Sequence, residues 1–577
     1  MKKILSLLLV LCFAAFSGLA EGLPMDGTYT AEADGFGGAV TVTITAEGGA
    51  ITAVAIEGAG ETPGLGAVAV EELDDAILEA QTPNVDAIAG ATVTSEAIVK
   101  AATAALTEAG ADIVLLDANR KDMQEDAPKT QEEMTVDVVV LGAGGAGMSA
   151  AITAHQAGKN VVILEKMPYV GGNTTKATGG MNAAETSYQK AAGIEDTIEQ
   201  FYLDTMAGGY EKSNPELVRT MAEHSAAGID WLASIGAPLP KVSFSGGATN
   251  ARIHAPEDGS GVGGYLVDVF SKKLDELGIS PMLNTQATEL LVEEGKVVGV
   301  RATSDKADYT IRAKSVILAT GGFGANEEMY CQYRPDLRGT VTTNAPGATG
   351  DGIVMAQAVG ADLVDIEQIQ LHPTVEQTTS IMITESVRGD GAILVNQSGE
   401  RFVNEMLTRD VVSAAELEQE GQYAYIVFDQ RLRDGLKAIE KYVNNGITVQ
   451  GDTPEALAEQ IGVDPATFAK TLSDWNGYVA AQEDKAFGRT SGMGKDLSVG
   501  PFYAIKIAPG IHHTMGGVKI DTQTRVISTS GEPIENLFAA GEVTGGVHGG
   551  NRIGGNAVAD IVVFGRIAGD QASQNAE

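Results

Sequence analysis

Cysteine is almost absent from this sequence. Its 577 residues include two, Cys12 and Cys331, and the first lies in an apolar stretch at the N-terminus. If that stretch is removed on export, Cys331 stands alone, which excludes an internal disulfide, an iron–sulfur cluster and a C-x-x-C-H haem attachment site. Any redox chemistry of the mature chain must therefore use organic cofactors.

Positive charge is also scarce. The chain has 39 Lys and Arg against 77 Asp and Glu, which gives a formal net charge of −38. Phosphate-rich partners bind clustered Lys and Arg, so we exclude an unassisted nucleic-acid partner and an anionic membrane surface. A site for an anionic substrate would have to carry its own local cluster of cations.

Long apolar runs are missing except at the N-terminus. There, two lysines precede an apolar run from Ile4 to Phe16, and the small residues of "GLA" follow. The run is shorter than the ~20 residues that a membrane-spanning helix needs. We therefore predict a signal peptide over residues 1–20, cleaved after Ala20, and an exported, periplasmic or otherwise extracytoplasmic protein with no transmembrane segment after cleavage.

The remaining chain has the length and the glycine content of a multidomain α/β protein, because single cores stop growing near ~250–300 residues. Residues 27–58 alternate between apolar and polar side chains, with Gly48-Gly49 as a hairpin turn. Two helical stretches follow, "GAVAVEELDDAILEAQ" and "SEAIVKAATAALTEAG". We predict a small α+β domain over residues 25–115 and a polar linker over residues 116–134.

A nucleotide-binding pattern begins at Val136. The segment "VDVVVLGAGGAGMSAAITAHQAGKNVVILEK" has the order strand, glycine turn, helix, strand, with Gly142, Gly144 and Gly147 in the turn and Glu165 after the second strand. The glycines permit a tight turn and close backbone approach, the helix N-terminus faces a pyrophosphate, and Glu165 is spaced to bind a ribose hydroxyl. This order predicts a Rossmann-like dinucleotide site.

Two later glycine-rich segments favour a flavin over a nicotinamide. Residues 171–184, "GGNTTKATGGMNAA", follow the second strand directly, and residues 536–569 add a strand and a glycine-rich helix start near the far end. A cofactor bound at both ends of a long sequence indicates a folded-back FAD domain interrupted by an insertion. We predict that the FAD domain spans residues 135–363 and 508–577, with the insertion at 364–507.

From about residue 135 to residue 577, the chain resembles the soluble fumarate reductase family, the flavocytochrome-like relatives of succinate dehydrogenase flavoproteins. The motifs are "LHPT" (371–374), "MITESVRGDGAILVNQSGERFVNE" (382–405), "LTRD" (407–410), "HHTMGGV" (512–518) and "GNRIGGNA" (550–557). The resemblance implies non-covalent FAD and reduction of a carbon–carbon double bond beside a carboxylate. It also implies that the insertion is a mobile α+β clamp (capping) domain.

The same resemblance implies a carboxylate site and a proton donor. Flavin N5 would supply a hydride, and Arg409 would donate the proton, fed through Glu385 and Arg388. Without the surrounding motifs, Arg409 would instead be a surface salt bridge with Asp410 or Glu405. We expect the substrate-binding groups to supply the cations that an anion requires. These groups are His372, Thr384, Glu385, His512, Arg552, Gly179, Gly555 and Met382.

Further residues are predicted to contact FAD. They belong to the glycine turn, to residues 171–184 and to the C-terminal segment, and His513 is expected at the flavin ring. Asp351 could instead merely begin a helix. Beyond the residues of the glycine motif and Glu165, the predicted contacts are Ala146, Asn173, Thr174, Gly179, Gly180, Ala287, Asp351, His513, Glu542, Ala557 and Val558.

A second resemblance concerns the N-terminal domain. "ETPGLG" followed by "DAIAGATVTS" is similar to the FMN-binding domain of sodium-pumping quinone reductase and related electron-transfer subunits. In that family a flavin transferase attaches FMN through a phosphoester to the Thr of the motif, here Thr92. Ala89 stands where the preferred pattern has Ser or Thr. The alternative is a plain turn that caps a helix at Thr94 or Ser95.

The leading hypothesis is an exported enzyme that reduces fumarate to succinate, with electrons passing from an external donor to FMN and then to FAD. His372 favours a dicarboxylate, because the related urocanate reductase has Tyr there; urocanate, acrylate-type and aryl-acrylate acids remain open. An electron carrier without turnover is a second class, disfavoured by the full set of site residues. Chemistry like that of aspartate oxidase is a third, disfavoured by the export signal and the FMN domain.

Overall fold

The computed structural model describes residues 22–61, 66–88, 91–121, 129–244 and 246–577. The chain divides into two compact units: the first holds the chain up to Thr130 together with Met167–Tyr169, and the second holds Gln131–Lys166 and Val170–Glu577. The predicted signal peptide, most of "ETPGLG" and Ala89 lie outside the described residues. Among the helices that the structure describes, none combines the length and the apolar character needed to cross a membrane.

The first unit contains an antiparallel sheet of β1 (Gly27–Asp34), β2 (Ala39–Glu47) and β3 (Ala50–Glu57). Gly48 and Gly49 join β2 to β3, and both have positive φ, which glycine adopts without strain. The hairpin predicted from the sequence is therefore confirmed.

Three helices follow in this unit: α1 (Gly66–Ala80), α2 (Thr92–Glu108) and α3 (Ile113–Lys121). Because α2 begins at Thr92, Thr94 and Ser95 lie buried in its first turn, and the suggestion that one of them caps the helix is wrong. Regular structure also occupies both ends of the predicted linker, since α3 reaches into it and the next strand starts at Thr130.

The second unit alternates strands and helices. Its strands are β4 (Thr130–Leu141), β5 (Val161–Leu164), β6 (Met181–Asn182), β7 (Lys241–Ser243), β8 (Ile253–Ala255), β9 (Gln286–Glu293), β10 (Lys296–Thr303), β11 (Ala307–Leu318), β12 (Leu363–Val364), β13 (Ile369–Val375), β14 (Ile393–Val395), β15 (Ala424–Asp429), β16 (Val449–Gly451), β17 (Phe502–Thr514), β18 (Gly517–Lys519), β19 (Arg525–Ile527), β20 (Pro533–Ala539) and β21 (Thr544–Gly545).

The helices of the second unit include several of only one or two turns. They are α4 (Gly145–Gln156), α5 (Gly172–Thr175), α6 (Ser187–Ala191), α7 (Ile198–Gly208), α8 (Pro215–Ser234), α9 (Val262–Leu277), α10 (Glu327–Tyr333), α11 (Asp351–Ala358), α12 (Glu385–Gly389), α13 (Arg409–Leu417), α14 (Gln430–Gly435), α15 (Lys437–Asn444), α16 (Pro454–Ile461), α17 (Pro465–Ala481) and α18 (Asn556–Asn575).

A seven-stranded sheet forms the base of the second unit. β4 pairs with β5 in parallel and also with β11, and β11 pairs in parallel with β20. β10 and β9 extend the sheet in antiparallel fashion. The C-terminal half of β4 is buried, as expected for a parallel strand covered on both faces. The predicted Rossmann-like arrangement of strand, glycine turn, helix and strand is confirmed.

The C-terminal helix α18 crosses α4 at close range. A Cβ on Gly565 would lie 2.6 Å from the carbonyl oxygen of Ala146, and one on Gly569 would lie 2.3 Å from that of Ala150. Glycine is therefore required at both positions, because a larger residue would push the helices apart. This crossing brings the end of the chain against the helix that follows the glycine turn.

A second hydrophobic core lies between Ile383 and Ile507, separate from the core around the large sheet. It packs around β14, β15 and β17, and it falls within the range predicted for the clamp domain. β17 also pairs with β13, so one strand runs across the predicted boundary at residue 507. The exact domain boundaries stay predictions.

Candidate active site

Two histidines face each other on a pair of antiparallel strands. β13 pairs with β17, and the rings of His372 and His512 lie 5.2 Å apart between centroids. His372 is fully buried, and its Nδ1 accepts a hydrogen bond of 3.3 Å from the backbone N–H of Thr374. A neutral ring bonded in this way carries its proton on Nε2. Nε2 has no hydrogen-bond partner among the described residues, so it can donate to a ligand.

Both of these histidines are neutral. Burial lowers the pKa of each ring well below its ordinary value, and the nearby Arg409 lowers it further. The expectation that the rings contribute positive charge is therefore wrong. The sequence could not show this, because the burial of the rings depends on the pairing of two distant strands. They contribute polar N–H and N groups, and the cations of the site are arginines.

Arg409 and Arg552 meet at one side chain, that of Gln370. The Oε1 of Gln370 accepts two hydrogen bonds, one of 2.8 Å from Arg409 Nη1 and one of 3.1 Å from Arg552 Nη2. The Nε2 of Gln370 donates a third hydrogen bond to the carbonyl oxygen of Arg552. Burial and then the charge of Arg409 lower the pKa of Arg552 to about 9, which leaves it a cation at neutral pH. The buried Arg552 and the partly buried Arg409 raise the free energy of the empty site and favour an anion between them.

The sequence interpretation missed Gln370. It lies two residues before His372 in β13, and alternate residues of a strand point to the same face. A polar residue two positions ahead of a candidate ligand in an otherwise buried strand was the available signal. Thr343 was missed as well; its Oγ1 is 2.8 Å from His512 Nδ1.

The three residues predicted to supply the proton form a chain of contacts. Arg409 Nε donates to Glu385 Oε1 at 2.7 Å, and Arg388 Nη2 lies 3.9 Å from the same oxygen. Glu385 begins α12, Arg388 lies one turn later, and Arg409 begins α13. Desolvation acts to raise the pKa of Glu385, but the two arginines outweigh it and hold the pKa well below its ordinary value.

The other predicted substrate-binding residues make contacts outside the group formed by Arg409, Glu385 and Arg388. Met382 and Thr384 both reach Tyr442, whose hydroxyl accepts from the Thr384 backbone N–H at 3.0 Å and donates to the Met382 carbonyl at 3.5 Å. Gly555 adopts φ +89° just ahead of α18 and accepts from the backbone N–H of Asn182. Gly179 is exposed, so its predicted contact stays a prediction.

The glycine turn ahead of α4 has the shape of a pyrophosphate site. A Cβ on Gly142 would lie 2.4 Å from the Ala319 carbonyl oxygen, and one on Gly147 would lie 1.9 Å from that of Gly142, so both positions must be glycine for packing. A Cβ on Gly144 would come only within 3.8 Å of protein, so the helix N-terminus is open there. Glu165 Oε2 accepts from the Ala143 backbone N–H at 2.9 Å, beside the turn. These residues fit a dinucleotide.

The two glycine-rich segments converge at Glu542. Asn173 Nδ2 donates to Glu542 Oε2 at 2.9 Å, and the Thr514 backbone N–H donates to Glu542 Oε1 at 3.0 Å. His513 Nδ1 lies 3.5 Å from the same carboxyl, and its buried Nε2 has no hydrogen-bond partner within the part of the chain that the structure describes. Burial raises the pKa of Glu542 and lowers that of His513. A buried ring nitrogen without a partner among the described residues, next to Glu542, fits a flavin contact.

The other residues predicted to contact the cofactor make contacts within the protein or lie in regular structure. Thr174 Oγ1 accepts from the Gly145 backbone N–H at 3.0 Å. Asp351 does begin helix α11, and its carboxylate also binds Lys166 Nζ at 2.8 Å. The remaining positions are Ala146 in α4, the buried Gly180 ahead of β6, Ala287 in β9, and Ala557 and Val558 in the first turn of α18.

In the first unit, Thr92 is exposed at the start of α2. Two residues later, the buried Thr94 hydroxyl donates to Glu61 Oε2 at 2.6 Å, and the Gly37 backbone N–H donates to Glu61 Oε1 at 3.1 Å. Glu61 therefore ties the first turn of α2 to the loop ahead of β2. The result is a fixed helix start with an accessible hydroxyl.

Two protein families match separate ranges of this chain. The family described as FAD binding domain matches residues 137–558, and the family described as FMN-binding domain matches residues 35–107. An NADH:fumarate oxidoreductase of Klebsiella pneumoniae is 49% identical over 88% of this chain, which spans 54% of that protein's length.

The chain is also similar to a second relative and to a solved structure. A urocanate reductase of Eggerthella lenta is 37% identical, over 94% of this chain and 92% of that protein. The open conformation of a flavocytochrome c3 fumarate reductase superposes with a TM-score of 0.69 at 47% identity, over 77% of this chain and 79% of that one.

Proposed function

Because this chain belongs to the FAD-binding fumarate reductase family and is an FAD-dependent oxidoreductase acting on carbon–carbon double bonds, we propose that its own substrate is fumarate, reduced to succinate. It carries an FAD-binding domain and an FMN-binding domain. When bound, the flavin supplies the hydride. The protein's own side chains bind the substrate, orient it and deliver the proton.

One observation carries the choice of a dicarboxylate: Arg409 and Arg552 donate to the same Gln370 oxygen. Bidentate arginine is well suited to a carboxylate, and an anion between the two guanidinium groups would remove their repulsion. The Nε2–H of His372 can donate to a carboxylate oxygen whose negative charge increases as the double bond accepts the hydride. Neutral His512, 5.2 Å from His372 between ring centroids, offers a second polar contact.

Arg409 is the proposed proton donor. An ordinary general acid has a pKa near the operating pH, and the pKa of arginine lies above ~12. The carbon that receives the proton becomes strongly basic after hydride addition, however, so a weak acid suffices if it is held in place. Glu385, bonded at 2.7 Å to Arg409 Nε, holds the guanidinium and is in position to return a proton to it.

FMN is proposed to be attached covalently at Thr92 by a flavin transferase and to receive electrons from an external donor. The exposed hydroxyl at the start of α2 is accessible to a modifying enzyme. We further propose that the protein is exported, as the N-terminal sequence predicts. The FMN domain is then the entry point for electrons that pass on to FAD.

A second candidate is another 2-enoate. The urocanate reductase of Eggerthella lenta matches nearly the whole chain, including the range of both domains. Such a substrate has one carboxylate, so its binding would need only one carboxylate clamp.

The test is to express the protein with its flavin transferase, denature it and look for flavin that remains on the chain. Fumarate, urocanate and acrylate are then assayed with reduced viologen. Turnover of fumarate, lost in Arg409→Ala, together with one covalent FMN lost in Thr92→Ala, supports the proposal. Turnover of another enoate alone would replace the substrate, and no turnover with both flavins bound would favour an electron carrier.

A further inference from the structure

Helix α13 carries polar residues on the face that it buries. Relative to Arg409 at its first position, Val412, Ser413 and Glu416 follow at i+3, i+4 and i+7, and these three are the buried residues of the helix. Val411, by contrast, is 42% exposed. Positions i+3, i+4 and i+7 of an amphipathic helix are normally apolar. The arrangement of α13 is partly reversed, with a carboxyl inside and an aliphatic side chain outside.

Glu416 is the most unusual member of this face. Its residue exposure is 0%, and within the described residues neither carboxyl oxygen has a hydrogen-bond partner. Glutamate is almost never fully buried unless it is paired, because an isolated buried carboxylate is very unfavourable. Burial raises the pKa of Glu416 well above its ordinary value, while Arg388 acts weakly in the other direction. Glu416 is therefore a neutral carboxylic acid that carries a proton inside the protein.

Two neighbours of Glu416 also carry buried polar atoms without a partner among the described residues: Ser413 lies one turn earlier on the same helix face, and Arg388 is close enough to interact with Glu416 electrostatically. In the described part of the chain, Ser413 Oγ and Arg388 Nε are also buried and lack a hydrogen-bond partner. Buried polar groups are nearly always satisfied by protein or water, so exceptions that cluster indicate bound water or a functional site. Arg388 in turn reaches Glu385 Oε1 at 3.9 Å, and Glu385 binds Arg409.

We propose that Glu416 is an internal proton-relay residue that reloads Arg409 through Arg388 and Glu385. The inference rests on the proposed function, in which Arg409 gives one proton to the substrate in each turnover. Glu416 lies about 10 Å from Arg409 along the same helix face, at 1.5 Å per residue, and so acts through the residues between them.

The protons balance in each cycle. After Arg409 protonates the substrate, Arg388 releases a proton from Nη2 to the Glu385 carboxylate, and Glu385 then passes a proton on to Arg409. The O–H bond of Glu416 breaks as a bridging water takes up that proton and delivers one to Arg388. The new carboxylate of Glu416 is stabilised by the positive charge of Arg388. Bulk water then reprotonates Glu416, and no electron is transferred in these steps.

A competing route exists, because 45% of the Glu385 side chain is exposed in the free protein. Glu385 could then exchange protons directly with solvent. The internal route matters once substrate and cofactor fill the space between Arg409 and His372 and exclude water. Replacing Glu416 by a residue that cannot release a proton distinguishes the relay through Glu416 from direct proton exchange at Glu385.

The central variant is Glu416→Gln, which keeps the volume and removes the exchangeable acid. Glu418→Gln, at an exposed position two residues later, is the matched control. We expect kcat with reduced viologen and fumarate to fall about tenfold or more, the scale of a lost proton-transfer group, with KM unchanged. The solvent deuterium isotope effect on kcat should increase. Glu416→Asp should restore part of the rate, and Glu418→Gln should behave as wild type.

Stability separates a relay from a packing role. Replacing an unpaired buried acid by Leu removes the cost of burying a polar group, so the melting temperature of Glu416→Leu should equal or exceed that of wild type. The amide of Glu416→Gln is about as polar as the neutral acid, so this variant should melt close to wild type. Lower kcat accompanied by a lower melting temperature or a raised KM would overturn the relay. Unchanged kcat in Glu416→Gln would overturn it too, in favour of direct exchange at Glu385.

Infrared difference spectroscopy on the flavin-loaded protein provides a readout independent of turnover. We expect a protonated carboxylic C=O band that shifts in D2O and disappears in Glu416→Gln but not in Glu418→Gln. If wild type does not reduce fumarate, the proposed function fails, and this band still decides whether Glu416 is an exchangeable acid. Absence of the band would overturn the inference even if fumarate is reduced.

Discussion

Two arginine clusters in the second unit differ in charge balance. The balanced cluster consists of Arg401, Arg489, Glu405 and Asp484: Arg401 binds both carboxylates, at 2.7 and 2.9 Å, and Arg489 binds Glu405 at 3.0 Å. Both guanidinium groups also lie 4.6 Å from the centre of the Trp475 ring. Each positive charge is therefore matched by a negative one, and aromatic packing adds to the stability.

The excess cluster has a different composition. It consists of Arg388, Arg409, Arg552 and Glu385, three cations and one carboxylate, with Gln370 between two of the cations. Burial and neighbouring cations lower the pKa of Arg552, a sign of unfavourable charge in the free protein. The comparison indicates that the balanced cluster stabilises the second core, whereas the excess cluster is completed by an anionic ligand.

The largest effect is expected from Arg409→Ala in the excess cluster. Loss of the proton donor should reduce kcat by about 10²–10⁴-fold, the usual contribution of general acid catalysis. The melting temperature should change little, since removal of one cation relieves repulsion with Arg552. Steady-state assays with reduced viologen and a thermal melt measure both quantities. Arg409→Lys keeps the charge and should keep KM better than kcat; full activity of Arg409→Ala would contradict the assignment.

The same kind of change in the balanced cluster should affect folding instead. Glu405→Gln leaves two buried arginines short of a partner, and breaking a buried pair costs about 3–5 kcal/mol. We expect a clear fall in the denaturation midpoint of the second core, measured by chemical unfolding. Glu400→Gln, at an exposed position nearby, is the control. A variant as stable as wild type would remove the distinction between the two clusters.

Gln370→Glu would make the excess cluster balanced. A carboxylate between Arg409 and Arg552 should raise the melting temperature of the free protein, because it neutralises their repulsion. It should also compete with the substrate and raise KM about tenfold, which corresponds to ~1.4 kcal/mol. Gln368→Glu, two residues earlier, serves as the control for added charge. Tighter fumarate binding by Gln370→Glu would show that the cluster does not hold an anion.

The smallest effect concerns pH. Burial lowers the pKa of His372, His512 and His513 in the folded protein. Below the ordinary histidine pKa of ~6.5, the unfolded chain binds more protons than the folded one, so stability is lost as the pH falls. The raised pKa of the buried Glu416 acts in the opposite direction, so the test is a difference between two proteins. Between pH 7.5 and 5, the melting temperature of His513→Asn should lose less, relative to its value at pH 7.5, than that of wild type. The exposed His224→Asn should leave the slope unchanged.

Local sequence signals gave the parts of the fold that depend on neighbouring residues. Gly48 and Gly49 form the hairpin turn because glycine adopts positive φ without strain. The turn around Gly142 needs glycine because the structure leaves no room there for a side chain. The start of α2 at Thr92 was missed, because a Gly-Ala-Thr turn does not show which residue begins the helix.

The site was predicted by resemblance more than by physics. The motifs identified Arg409, Glu385 and Arg388, and the structure brings them into one chain of contacts. Gln370 was missed although its spacing from His372 was a usable signal. The neutral state of the histidines was not predictable, since it follows from the pairing of β13 with β17. The pairing of these two distant strands buries the histidine rings, and burial lowers their pKa so that the rings are neutral.

The continuous strand β17 has a consequence for protein engineering. Its first half pairs with β15 in the second core, and its second half pairs with β13 and carries His512 and His513. A chimaera joined at residue 507 would divide this strand between its pairings with β15 and β13, which belong to one five-stranded sheet. The register of both histidines would then depend on a strand built from two different proteins. Exchange of clamp domains among relatives should therefore place the C-terminal junction before Phe502 and transfer β17 together with the FAD domain.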